Sequence, residues 1–166
     1  MLTKSQKKTL KWLAIIAVLT LLYFANRGIQ TYLGQVAVDN TGLSQQSFST
    51  ALGQAQAQQK LLLVELSAIW CPTCRKLDKT VFSDEAVQQV ITEDFEFARV
   101  EFSSSDGQAL RKKFKVAGFP TVLVLNPQGQ LLGVLPLQFE AHAYATRLTN
   151  IAQTYLSSLV GSNSNE

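Results

Sequence analysis

The two cysteines of the chain, Cys71 and Cys74, stand three positions apart and follow closely on the apolar run 61–67. This run is short and mostly apolar on both faces, a pattern that predicts a buried strand. Pro72 suits the first turn of a helix, so we expect a helix to begin at the cysteines. A C-x-x-C pair between a strand and a helix is typical of a redox motif.

The predicted position of Cys71 favours its ionisation. A thiol at a helix N-terminus meets unpaired backbone N–H groups and the positive end of the helix dipole, and both stabilise a thiolate. Cys74 follows one turn later, within reach of a disulfide bond with Cys71. We therefore predict that Cys71 is the attacking nucleophile and Cys74 the resolving thiol of a redox-active Cys71–Cys74 pair.

Other uses of the cysteines fit the sequence less well. A structural disulfide across so short a loop would constrain little of the unfolded chain. A zinc site needs about four ligands, which one cysteine pair and the single histidine, His142, cannot supply. A copper site would need more soft ligands, and the one methionine is Met1. We expect no metal and no cofactor other than the cysteine pair, and we interpret His142 as a surface residue.

An apolar segment near the N-terminus predicts a membrane anchor. Residues 12–25 are apolar apart from Thr20, but at about 1.5 Å per residue they fall short of the ~30 Å hydrocarbon core. The segment reaches a spanning length over residues 10–29 if Lys11 and Arg27 extend their charged ends to the interfaces. A cleaved signal peptide is the alternative, although small residues are poorly placed for cleavage.

The charges are divided unevenly along the chain. Of the 15 basic residues, five precede residue 34, where there is no acid, and the remaining ten are outnumbered by 12 acids. Four of those five are lysines before the apolar segment, which places the N-terminus of a single-pass protein in the cytoplasm. The rest of the chain would then face a bacterial periplasm from the inner membrane, where disulfides persist. The rest of the chain is mildly acidic, so its charge does not indicate nucleic-acid binding.

Patterns along the chain predict one α/β domain behind this anchor. Within the domain, helical and strand patterns alternate in the order α-β-α-β-α-β-β-α, and Asp106 is predicted to cap the third helix. We assign residues 1–29 to a cytoplasmic stub and the anchor, 30–45 to a polar tether, 46–160 to the domain and 161–166 to a frayed tail.

The stretch LLLVELSAIWCPTC, followed by GFPT at residues 118–121, resembles the thioredoxin superfamily in the order and spacing of its strand, W-C-x-x-C turn and later Gly-x-Pro-Thr. WCPTCRKLDKTVFSDEAVQQVI is similar to the C-terminal thioredoxin-like domain of the DsbD family of transmembrane thiol reductases, although Arg75 stands where that family has lysine. The resemblance implies a thioredoxin fold, a central mixed sheet flanked by helices, here preceded by a single transmembrane helix.

The resemblance also assigns roles around the cysteines. Pro120 falls on the family's cis-proline, which exposes the backbone of Phe119 to a substrate strand; an ordinary trans proline is the alternative. Trp70, Pro72, Thr73 and Phe119 would form an apolar rim that docks another protein. Trp70 could instead belong to the core.

Two acids near the cysteines are further candidates. Glu65 stands where the family holds a buried acid, usually aspartate. Because both faces of its strand are mostly apolar, we expect Glu65 to be buried, with a raised pKa, and to accept the proton of Cys74. A surface acid at a strand end is the alternative. Asp78, on the same helix face as Cys74, either tunes the thiols or forms a solvated partner for Arg75 or Lys79.

These features together predict a membrane-anchored thiol–disulfide oxidoreductase. Pro72 and Thr73 carry no charge, whereas strong oxidants of the family carry a histidine between the cysteines, and this difference favours a reductase of protein disulfides. Such an enzyme in the periplasm needs electrons from a membrane donor of DsbD type. We expect it to act as a monomer. The alternatives are a dithiol oxidant and a non-catalytic binding or assembly module with the same fold.

Overall fold

The computed structural model of the protein describes residues 3–163, and within this range the chain forms six α-helices and four strands. In chain order the elements are α1 (Lys4–Asp39), α2 (Phe48–Gln58), β1 (Leu61–Ser67), α3 (Pro72–Leu77), α4 (Glu85–Asp94), β2 (Phe95–Glu101), α5 (Ser105–Phe114), β3 (Thr121–Leu125), β4 (Leu131–Leu135) and α6 (Ala141–Asn163). The predicted alternation of helices and strands is confirmed, with the helical region after the cysteines divided into α3 and α4.

The four strands form one mixed sheet in the order β2-β1-β3-β4. β1 runs parallel to β2 and antiparallel to β3, and β4 lies antiparallel to β3 at one edge. Helices cover both faces, which confirms the predicted α/β architecture. Residues 68–70 connect the carboxyl end of β1 to Cys71, so the cysteines lie at the end of a central strand.

Side chains of β1 alternate between two parts of the core. Leu61 and Leu63 pack with residues of α4 and α6, whereas Leu62 and Val64 pack with residues of α2 and α5. Because side chains alternate along a strand, Glu65 projects to the same face as Leu61 and Leu63. The one acid of β1 therefore points into the core layer that also contains α3.

α1 is a single uninterrupted helix of 36 residues. Its stretch Gln6–Asp39 is long and apolar enough to cross a membrane, and its apolar part is not buried against the protein. At about 1.5 Å per residue α1 is about 54 Å long, well beyond the ~30 Å of a hydrocarbon core. A part of α1 therefore remains available for contact with the α/β domain.

The predicted polar tether at residues 30–45 is wrong for its first part, because α1 continues through it to Asp39. The last turns of α1 pack against α3, and Gly34, Ala37 and Val38 are buried there. These positions are spaced three and four residues apart, which places them on one face of the helix. The burial of this small-residue face stabilises a helix where the polar composition suggested a flexible segment.

The helix that begins at the cysteines does not continue as a regular α-helix. α3 passes into one π-helical turn, Asp78–Phe82, in which Asp78, Val81 and Phe82 are buried. Wide turns of this kind often occur at functional sites. Here the turn places an acid inside the protein one turn beyond Cys74.

Two further helix ends differ from the prediction. Ser104, not Asp106, caps α5, because the Ser104 hydroxyl accepts a hydrogen bond at 3.0 Å from a backbone N–H of the first turn. α6 continues to Asn163, so the predicted frayed tail 161–166 begins as helix. The end of that tail, from residue 164, lies outside the described residues.

Candidate active site

Cys71 is the N-terminal cap of α3, as the sequence predicts. Its Sγ accepts a hydrogen bond from the backbone N–H of Cys74 at 3.2 Å, and its own N–H donates to Ala68 O at 2.9 Å. Pro72 is the first helical residue, a position where no N–H partner is needed. A backbone N–H of the helix start thus donates to the Cys71 sulfur, as expected for a helix cap.

The two thiols are free, and both are buried. Cys71 is 6% exposed and Cys74 is 2% exposed. Burial, followed by a hydrogen bond with Cys71, raises the pKa of Cys74 to about 12. Cys74 therefore keeps its proton at neutral pH and needs a proton acceptor before it can attack a disulfide.

Two buried acids and a half-buried arginine lie beside the cysteines. Glu65 is fully buried, as predicted, and Asp78 is 1% exposed. Arg99 binds both: its Nη2 lies 2.8 Å from Glu65 Oε2, and its guanidinium donates to both carboxylate oxygens of Asp78. Glu65 and Arg99 are register partners on β1 and β2, so their side chains share one face of the sheet.

One arginine cannot neutralise two carboxylates, so this cluster favours the uptake of a proton. Burial raises the pKa of Glu65 from 4.5 to about 7, while Arg99 lowers it and Asp78 adds to the rise. Burial likewise raises the pKa of Asp78, against the attraction of Arg99. Burial lowers the pKa of Arg99, but the two carboxylates and Cys74 more than reverse this. Glu65 therefore changes protonation near neutral pH.

The Ser67 hydroxyl connects the charge cluster with the resolving thiol. It interacts with the side chains of both Glu65 and Cys74 and lowers the pKa of each. Arg99 Nη1 donates to Ser67 Oγ at 3.3 Å. This hydroxyl is therefore bonded to Arg99, the cation of the cluster, and its influence on both pKa values places it near Glu65 and Cys74.

Aromatic side chains form the rim of the cysteine site. Trp70 and Phe119 pack against Cys71 and Cys74, and the two rings meet edge to face with centroids 5.6 Å apart. The Phe119–Pro120 peptide bond is cis, as the resemblance implies. The other predicted rim residues are exposed: Pro72 and Thr73.

The structure contradicts one of the two predictions made for Asp78. It is buried and bonded to Arg99, so the predicted solvated partnership with Arg75 or Lys79 is wrong. Arg75 instead donates to Gln30 of α1 at 2.6 Å. The other prediction, that Asp78 tunes the thiols, remains a prediction.

The sequence interpretation missed Arg99 and Ser67. In FEFARVE, Arg99 alternates with Phe95 and Phe97, which lie in the core, so the pattern already placed an arginine at an inward position. Ser67 alternates with Glu65 on β1 in the same way. The alternation along each strand does not show which side chains pair, because the pairing depends on the register between β1 and β2.

A C-x-x-C pair at a helix start, at the end of a central strand and beside a cis-proline loop, defines a dithiol protein with a thioredoxin fold. The sequence matches the model of the thioredoxin-like family over residues 44–127, just over half of the chain. The chain therefore belongs to the thioredoxin-like family.

Three known proteins illustrate this relationship. The thiol:disulfide interchange protein DsbD of Yersinia pestis (strain Pestoides F) is 38% identical over 76 residues, 45% of this chain and 13% of that protein. A thioredoxin from Thermus thermophilus has a TM-score of 0.60 at 26% identity, covering 66% of this chain and 86% of the other. The oxidised C-terminal domain of Neisseria meningitidis DsbD shares the fold, with a TM-score of 0.52 at 19% identity, covering 64% and 98%.

These similarities confirm the predicted thioredoxin fold and the resemblance to DsbD. The chain spans only 13% of the length of the Yersinia DsbD. The match therefore covers a thioredoxin-like part of that protein and not the whole of it.

Proposed function

We propose that the protein is a membrane-anchored, periplasm-facing thiol–disulfide oxidoreductase that reduces disulfides of other proteins. The observation that carries this proposal is the Cys71 thiol at the start of α3, with Cys74 one turn later and a fully buried acid, Glu65, on the strand that leads to them. A binding module with the same fold would need neither the reactive thiol nor the acceptor. The uncharged residues between the cysteines support reduction rather than oxidation.

The reaction transfers two electrons and two protons from the cysteine pair to a partner disulfide. The Cys71 thiolate attacks one partner sulfur, and the partner S–S bond breaks to release one thiolate. Cys74 then loses its proton and attacks Cys71 Sγ, which releases the second partner thiolate. Both released thiolates take up protons, and the protein is left with a Cys71–Cys74 disulfide. A membrane donor of DsbD type returns the two electrons.

The proton of Cys74 leaves through the interior of the protein. Glu65 accepts it, directly or through one water. With its pKa raised to about 7 by burial, Glu65 is partly ionised at neutral pH, which suits an acceptor that must later release the proton. Arg99 is a positioning residue, because it binds Glu65, Asp78 and Ser67 at once.

The proposed location is the bacterial inner membrane, with the N-terminus in the cytoplasm. The length and apolar surface of α1 support a single membrane span, and the lysines before it support this orientation. The protein is proposed to act as a monomer whose redox-active group is the cysteine pair alone. The aromatic rim at Trp70 and Phe119 is proposed to dock partner proteins.

The full-length protein in detergent is expected to accelerate the reduction of insulin disulfides by dithiothreitol. Cys71→Ser should lower the rate to the uncatalysed level, because the attacking thiolate is lost. His142→Ala, which alters an exposed residue on α6, is the control and should retain the wild-type rate. If the wild-type protein does not exceed the Cys71→Ser rate, the chain is a binding module and not a reductase.

Alkaline phosphatase fused after residue 160 is expected to be active in cells and to remain in the membrane fraction. The phosphatase needs an oxidising compartment, and the lysines before α1 direct the C-terminal side outwards. Fusion after Lys11 should be inactive, because that junction precedes the span. A soluble periplasmic product that begins after residue 25 would show a cleaved signal peptide in place of an anchor.

A further inference from the structure

The last turns of α1 lie directly on the active-site loop, residues 68–71, which connects β1 to α3. The Arg27 guanidinium carbon lies 4.8 Å from the centroid of the Trp70 ring. Three residues further along α1, Gln30 Oε1 accepts a hydrogen bond from Arg75 Nη1 at 2.6 Å. Trp70 directly precedes the cysteine motif and Arg75 directly follows it, so α1 binds the motif at both ends.

Gly34 marks the closest approach between α1 and the loop. A Cβ atom built at Gly34 would overlap the carbonyl oxygen of Ile69 and lie 2.9 Å from its carbonyl carbon. Only glycine lets the helix backbone come this close to the loop backbone. Ala37 and Val38 are buried one turn further on. Contacts therefore fix one face of α1 to the domain at intervals between Arg27 and Val38.

The position of Arg27 along α1 sets the height of the active site above a membrane. Residues 12–26 carry no charge, and Lys11 and Arg27 bound this stretch. At about 1.5 Å per residue the two charges stand roughly 24 Å apart, so both reach the edges of a ~30 Å core by extending outwards. Trp70, which lies against Arg27, is then at the level of the lipid headgroups.

The side chains of the rim are of the kinds that favour the level of the lipid headgroups. The rings of Trp70, Phe119 and Phe102 form a row with centroid separations of 5.6 and 4.6 Å. Arg111 lies over Phe102 at 3.9 Å, and Arg27 lies over the other end of the row at Trp70. Aromatic rings and long basic side chains are the groups that favour the membrane–water interface.

We propose that α1 holds the dithiol at the membrane surface, so that Cys71 exchanges disulfides with cysteines that an integral membrane protein presents at the membrane boundary. This inference rests on the proposed function and names the partner class of that same site. A domain on a flexible tether would sample a large volume of the periplasm. Fixed to α1 through Gly34, the dithiol instead stays beside the bilayer, and its two electrons pass to a disulfide held at that level.

The test uses the full chain with Trp12→Phe in vesicles of phosphatidylcholine and phosphatidylglycerol. The chain has two tryptophans, so Trp70 then remains alone. Quenching of its fluorescence by a nitroxide on the lipid headgroup measures its depth. The reduction rates of one disulfide peptide are compared in soluble and lipid-attached forms. Gly34→Ala forces α1 off the loop, and Gly28→Ala, where an added Cβ meets nothing within 4 Å, is the matched control on the same helix.

Strong quenching and a preference of about tenfold for the lipid-attached peptide are expected for the parent and for Gly28→Ala. Both should diminish in Gly34→Ala. Anchoring in the membrane gives every variant some preference, so the difference between the two glycine variants is decisive. Gln30→Ala removes only the hydrogen bond to Arg75 and should give a smaller change of the same sign, which keeps the test open if Gly34→Ala does not fold.

Three results would overturn the inference: an unquenched Trp70 in the parent, equal quenching in the two glycine variants, or equal rates on the two peptides. Failure to reduce either peptide while Trp70 is quenched would overturn the proposed function. The inferred class of partner would then fail together with the proposed function. The contact of α1 with the active-site loop would be unaffected.

Discussion

Cells that produce the Cys74→Ser variant are expected to accumulate mixed disulfides between Cys71 and partner proteins. Cys71 can still attack, but no second thiol follows to release the partner. Cys71→Ser should accumulate none or far fewer, because the remaining Cys74 is 2% exposed and burial raises its pKa to about 12. Non-reducing gels after thiol alkylation, with mass spectrometry of the bands, measure the difference.

Equal trapping by the two variants would contradict the assignment of nucleophile and resolving thiol. The same alkylation in cells with the wild-type protein tests the direction of electron flow. A mostly reduced Cys71–Cys74 pair agrees with a reductase, whereas a mostly oxidised pair would make the protein an oxidant.

Arg99→Met is expected to destabilise the fold by about 3–5 kcal/mol near neutral pH. The variant leaves Glu65 and Asp78 buried without a cation, which costs far more than the loss of a surface ion pair. The loss should shrink on acidification, because protonated carboxyls carry no charge. Denaturant unfolding of the full chain in micelles measures it, and a change within about 0.5 kcal/mol would show that the cluster does not stabilise the fold.

Glu65→Gln should change stability in the opposite direction, because it leaves Arg99 and Asp78 as one neutral pair. The pKa of Glu65 is about 7 when folded, where burial raises it, and 4.5 ordinarily. The fold therefore loses stability from this carboxyl as the pH rises from 4.5 to about 7. The gain from Glu65→Gln is absent below that window and complete above it, at about 3 kcal/mol. A gain independent of pH would contradict this account.

The same variant tests the proton path. Resolution of the mixed disulfide should slow near neutral pH in Glu65→Gln and approach the wild-type rate at high pH, where Cys74 loses its proton unaided. Glu93→Gln, which changes an exposed acid on α4, is the matched control and should have no effect. If Glu65→Gln matches the wild type at every pH, the carboxyl has a structural role only.

The elements around the cysteines could be predicted because each depends on a local pattern. The apolar run at 61–67 became β1, and Pro72 became the first residue of α3, with Cys71 as its cap. The burial of Glu65 followed from its position within that apolar run. In each case the neighbours in sequence are also the neighbours that determine the conformation.

The contacts between distant segments could not be predicted in the same way. Arg99 lies 34 residues from Glu65, and the strand register that pairs them is a property of the folded sheet. The sequence of the docked part of α1 indicates a tether because polar residues such as Thr31, Gln35 and Asp39 occur within it, although Gly34, Ala37 and Val38 follow helical spacing. An amino-acid composition averaged over all faces of a helix conceals a narrow buried face.

With α1 in the membrane as proposed, the thickness of the lipid bilayer affects the orientation of the active site. One continuous helix joins the proposed span to the loop that carries Cys71, without a hinge between them in the described helix. A thinner bilayer tilts a long apolar helix more steeply, and the domain tilts with it. The angle at which the dithiol meets a partner therefore depends on lipid chain length, which exchange rates in short-chain and long-chain bilayers would reveal.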